Sequence, residues 1–103
     1  MEYAWWIGVH SFLARADVAP WEVMEVLYSS QRWPRPARTA EGLPVTTVWG
    51  RTESGRPLVV LLRELPPPSR TRDIQSRGTW EILMAAQMRS QQLEEFTAWE
   101  ANR

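Results

Sequence analysis

The chain has 103 residues, 44% of them hydrophobic, with seven Trp, one His, no Cys and no net charge at pH 7. That length supports a single domain, residues 1–103, with one core and little to spare. The missing Cys excludes disulfides and thiolate chemistry, and the single His excludes a His-rich metal site within one chain. No apolar run approaches membrane-spanning length. Acidic Glu2 and the lack of a basic leading segment argue against a secretory leader. The expected setting is therefore cytoplasmic, with no membrane, metal or cofactor.

All twelve cationic residues are Arg. Residues 31–77 hold nine of them against four acids, a net of +5, and the rest of the chain holds three against eight, a net of −5. A basic middle between acidic flanks is either a polyanion-binding surface or a set of arginines that pair with the acidic helices.

In chain order, residues 2–7 (EYAWWI) are aromatic and β-prone and predict a strand. Residues 11–16 predict a short helix with Phe12 and Leu13 facing inward. Pro20 suits the first turn of a second helix over 20–29, and Glu22 suits its positive end. Val23, Val26 and Leu27 form its apolar stripe, with Trp21, Met24 and Tyr28 beside it and Glu22 and Glu25 on the wet side. Residues 31–44 (QRWPRPARTAEGLP) hold three Pro and no periodicity and predict a loop. Within it Trp33 sits between Arg32 and Arg35. That composition suits stacking of a single-stranded base, or a Trp that pins the loop to the core.

The organising stretch is 45–64. Val45–Trp49 and Leu58–Leu62 read as the strands of a hairpin, with Ser54-Gly55 supplying the turn. Pro57 belongs at the start of the second strand. Residues 65–79, with three consecutive Pro and three Arg, predict a long loop. Residues 80–84 predict a third core strand. Residues 90–101 predict a final helix, capped by Ser90, with Leu93, Phe96 and Trp99 on one face. The fold class is α+β: an antiparallel sheet of three to four strands with two N-terminal helices and a C-terminal helix. Its core is expected at Leu27, Val48, Val60, Leu62, Ile82, Leu93 and Phe96.

Chemical motifs are sparse. No P-loop, GxSxG, GxGxxG or HExxH is present. His10 stands beside Ser11, which establishes no nucleophile–base pair. Arg51 follows the first hairpin strand, Arg56 precedes the second, and Arg63 follows it. Arg51 and Arg56 sit close enough in sequence to hold one phosphate between two guanidiniums, or to pair with Glu53 and Glu64.

The order of these pieces resembles the BrnT-like toxins of bacterial type II toxin–antitoxin pairs, small relatives of the RelE ribonuclease fold. Phe12-Leu13-Ala14-Arg15 followed by Val18-Ala19-Pro20-Trp21-Glu22-Val23 looks like the family's helix, turn and second helix. Trp49-Gly50-Arg51-Thr52-Glu53-Ser54-Gly55-Arg56 is similar to its hairpin turn, and Trp80-Glu81-Ile82-Leu83 to its last strand. The family's His-Gly pair is replaced here by Ala16-Asp17, its Ala-Arg-Pro by Ala85-Ala86-Gln87, and its Arg-rich final helix by one carrying Glu94 and Glu95. The resemblance implies a metal-independent RNA endonuclease neutralised by an antitoxin-like protein. Arg51, Arg56 and His10 would be its candidate catalytic groups, and Arg32, Trp33, Arg35, Arg51, Arg56 and Arg63 its RNA contacts. The alternative is a non-catalytic protein-interaction module on the same fold, binding a partner or forming a homodimer through its Trp-rich surface.

Overall fold

The computed structural model describes residues 2–65 and 78–103. The elements run β1 (Glu2–Trp5), α1 (Val9–Ala16), α2 (Pro20–Leu27), β2 (Trp33–Arg38), β3 (Pro44–Arg51), β4 (Pro57–Leu65), β5 (Thr79–Gln87) and α3 (Ser90–Ala101). They form an α+β domain around one five-stranded sheet of order β1-β5-β4-β3-β2. The β2–β3, β3–β4 and β4–β5 pairs are antiparallel, whereas β1 lies parallel to β5.

Two expectations are corrected here. The sheet is mixed and has five strands, because the N-terminal strand returns to pair with the last one. The segment expected to be a loop at 31–44 contains β2. Its prolines are Pro34 and Pro36, and they alternate with Trp33, Arg35 and Ala37, which turn the other way and are half-buried. Pro is admitted because β2 is an edge strand with a single neighbour. Most of the loop expected at 65–79 lies outside the described residues.

Helices lie on both faces of the sheet, α1 and α2 on one and α3 over β2 and β3 on the other. On one face, Val48, Leu58, Val60, Leu62, Ile82 and Ala85 form a continuous core with Val9 and Leu13 of α1 and Val23, Val26 and Leu27 of α2. Of the core residues expected from the sequence, Leu27, Val48, Val60, Leu62, Ile82 and Phe96 are buried, while Leu93 is only half-buried. Gly50 lets α2 come close: a Cβ there would lie 3.0 Å from a methyl of Val26. Along β3 the side chains alternate faces. Trp49 and Arg51 therefore point away from the α2 side, toward α3, which lies over the second face.

The hairpin between β3 and β4 turns as anticipated. Gly55 has φ +94, a conformation that favours glycine. Thr52 is buried, and its Oγ1 accepts from the Arg56 amide at 3.0 Å. The Thr52 amide donates to the Arg56 carbonyl at 2.9 Å. Arg89, not Ser90, occupies the N-cap of α3, with the Gln92 side chain accepting from the Arg89 amide at 2.8 Å.

The end of α1 carries a strained residue. Asp17 has φ 56 and ψ 46, the left-handed conformation. A residue with a Cβ pays roughly 1–2 kcal/mol there, and Asp is among the few that tolerate it. Asp17→Gly is expected to raise unfolding stability by about 1 kcal/mol. The gain should be read as a higher denaturant midpoint at unchanged slope.

Candidate functional site

Of the residues singled out from the sequence, Arg51 and Arg56 flank the β3–β4 turn and Trp33 and Arg35 lie with Arg51 beneath α3, while Arg32, Arg63 and His10 lie elsewhere. Arg51 turns toward α3. Its Nε donates to both carboxylate oxygens of Glu100 at 3.2 and 3.0 Å, and its Nη2 donates to Oε1 at 3.0 Å. Its Nη1 also holds the Gly55 carbonyl at 3.1 Å, and its guanidinium lies 5.6 Å from the Phe96 ring centroid. The Glu100 carboxylate keeps Arg51 firmly protonated.

Arg56 turns the opposite way. Its Nη1 donates to Glu22 Oε1 at 2.7 Å, and its Nη2 to the Asp17 carbonyl at 2.6 Å. Glu22 was expected on the wet side of the second helix, yet it is only 7% exposed. The same carboxylate accepts from the Ala19 amide at 3.0 Å, closing the first turn of α2. That amide, and then Arg56, hold the Glu22 carboxyl below its ordinary value, against the opposing effect of burial. The two arginines thus clamp the hairpin from its two sides, one to α3 and one to the α1–α2 junction. Their partners are Glu100 and Glu22 rather than the nearby Glu53 and Glu64.

The other expected RNA contacts divide similarly. Arg35 donates to Glu95 of α3 at 2.7 Å. Its guanidinium lies 4.4 Å from the ring centroid of Trp33 and 4.9 Å from that of Trp49. Trp33 stacks on Trp99 of α3 with ring centroids 5.2 Å apart and planes 6° from parallel. It meets Trp49 edge-on at 5.6 Å. Trp49 is buried, and its indole N–H donates to Thr47 Oγ1 at 2.9 Å. Trp33, Arg35, Trp49 and Arg51 therefore form one aromatic–arginine face, closed by Glu95, Phe96, Trp99 and Glu100 of α3. The sequence reading singled out Trp33, Arg35 and Arg51 but missed Trp49 and the α3 residues. The available signal was the set of acids flanking the Phe96–Trp99 stripe.

Arg63 pairs with Glu81 and borders a cavity of about 490 Å³ lined by Trp6, Phe12, Leu83 and Met84. Arg32 donates to the Ser29 carbonyl at 2.9 Å and lies near Tyr3, whose phenol is pushed up by burial. His10 is exposed on α1, on the side of the sheet away from Arg51, and stacks on Trp5 at 6.4 Å. Among the described residues, no group of three or more His, Asp or Glu is placed to hold a metal ion. Nor is any described helix long and apolar enough to cross a membrane.

The two edges of the sheet differ. On β2, Pro34 and Pro36 remove two backbone donors from the strand. On β1, Glu2–Trp5 has only β5 as a neighbour and carries no Pro. Two exposed apolar side chains, Trp5 and Ile7, lie on or just after β1. Tyr3 and Trp5 share one face of β1, and Tyr28 packs edge-on against Tyr3 at 5.8 Å. Tyr28 is 68% exposed, Trp5 39% and Ile7 95%. Trp21, two turns before Tyr28 on α2, is 63% exposed.

No protein-family model matches the chain, and no curated protein matches it.

Proposed function

We propose that the chain is a protein-interaction module on a BrnT-like variant of the RelE fold. It takes an extended segment of an antitoxin-like partner, or of a second copy, along β1. The observation that carries this reading is the asymmetry of the sheet: one edge lacks two donors, and the other has a single neighbour, with Trp5 and Ile7 exposed on or just after it. Addition of a strand at an open edge gains main-chain hydrogen bonds, and flanking aromatics supply apolar contact. The arginines of the turn motif support a non-catalytic reading, since both are engaged by carboxylates on opposite sides of the sheet and His10 lies near neither pair. Sedimentation of the pure chain, together with incubation on total RNA with and without translating ribosomes, tests it. The expected outcome is a dimer that dissociates on dilution and in Trp5→Lys, with the RNA left intact. A chain that stays monomeric and degrades RNA overturns it.

A second reading, RNA binding of the toxin kind, is favoured by the interleaving of Trp33 and Trp49 with Arg35 and Arg51 on a single face. Aromatic rings for bases and guanidiniums for phosphates are the elements of a single-strand platform.

A further inference from the structure

We infer that α3 is a built-in mimic of single-stranded nucleic acid, seated on a binding face that opens when the helix lifts. This inference rests on the RNA-binding reading and adds its regulation. Each group of the ligand has a counterpart on α3. The Glu95 carboxylate sits on Arg35, and the Glu100 carboxylate on Arg51 with both oxygens engaged. The Trp99 indole is stacked on Trp33 as a base would be, and Phe96 packs behind it at 5.4 Å. Glu95 and Glu100 are five positions apart, about 7.5 Å along a helix axis, a separation that neighbouring phosphates of an extended strand can match. With α3 docked, both guanidiniums are neutralised and the outer ring of the platform is covered.

The hold on α3 is suited to release. Phe96 is its one fully buried side chain, and Leu93 and Trp99 are only half-buried. The Arg35–Glu95 pair is 38% and 47% exposed at its two side chains, so water and salt weaken it readily. A 12-residue helix is marginal once detached. Lifting α3 would leave Trp33, Trp49, Arg35 and Arg51 on sheet strands that keep their own places in the ladder.

The test uses the full chain and a fluorescein-labelled oligouridine, titrated at several salt concentrations. The variant is Glu95→Gln with Glu100→Gln, which keeps side-chain shape and removes both carboxylate charges. It is expected to bind the oligonucleotide about tenfold or more tighter than wild type. A salt slope of about 1.4 is expected from two single-strand phosphate contacts. Amide exchange over 90–101 should rise when the oligonucleotide is added. The same net charge change made elsewhere, Glu53→Gln with Glu94→Gln, should give no comparable gain, and adding Arg35→Ala and Arg51→Ala to the first variant should abolish it. An equal gain in the Glu53/Glu94 control, or a gain that survives loss of both arginines, overturns the inference. If wild type and variant bind equally tightly, the RNA reading stands and gating by α3 fails. If neither binds at low salt, both fail.

Discussion

Phe96→Ala is expected to cost about 3–5 kcal/mol of unfolding stability, the range for an aromatic deleted from a packed interior. Phe96 is 0% exposed. Its ring packs against Trp99 at 5.4 Å and faces the Arg51 guanidinium at 5.6 Å. Removing it takes away the one fully buried anchor of α3, leaving the Trp99–Trp33 stack, half-buried Leu93 and the Arg51–Glu100 and Arg35–Glu95 pairs to hold the helix. The exposed Arg35–Glu95 pair contributes little, so α3 should fray along with the loss. Urea unfolding followed by far-ultraviolet circular dichroism checks this. A stability within about 1 kcal/mol of wild type would mean that the ring is not an interior group.

Arg56→Met is expected to cost about 3 kcal/mol. The substitution leaves the Glu22 carboxylate at 7% exposure with the Ala19 amide as its remaining donor. It also removes the donor to the Asp17 carbonyl that joins the hairpin to the α1–α2 junction. Arg56 is itself only 22% exposed at its side chain, so water cannot readily take its place. The pH dependence follows from the direction of the Glu22 shift. Its carboxyl titrates lower in the folded chain than the ordinary 4.5. Its stabilising contribution is therefore complete above that value and is lost as the pH falls through the folded one. The stability gap between wild type and Glu22→Gln should be constant near neutrality and close on acidification. A gap that widens toward low pH would contradict the assignment. Arg51→Met should have a smaller effect than Arg56→Met, since its partner Glu100 is more exposed than Glu22.

The parts of the fold that sequence reveals are those settled locally. The run from Gly50 to Arg56 announces a tight turn because Gly55 must take a positive φ and Thr52 must supply a hydroxyl inside it. The flanking β-branched and apolar runs then have little choice but to pair. β2 was hidden because its two prolines are the strongest breakers in the alphabet. Their alternation with Trp33, Arg35 and Ala37 was the available sign of an edge strand. The β1–β5 pairing joins residues near opposite ends of the chain, and no local pattern carries that information. The site follows the same division. Arg51 and Arg56 stand out by position, but their nearest acids in sequence, Glu53 and Glu64, are not their partners. Glu100 and Glu22 become neighbours only when α3 and α2 dock on opposite faces. Glu22 reads as a helix-dipole residue, and it does close the first turn of α2, but its burial depends on a guanidinium arriving from 34 positions away.

The proline pair on β2 also bears on how far assembly can proceed. A sheet with two receptive edges can add copies without limit, each newcomer offering a fresh edge to the next. This sheet has one. Two chains that meet edge to edge at β1 around a twofold axis would turn their β2 strands outward on both sides, and those strands lack donors at Pro34 and Pro36. Such a union would therefore close at two rather than grow into a fibre.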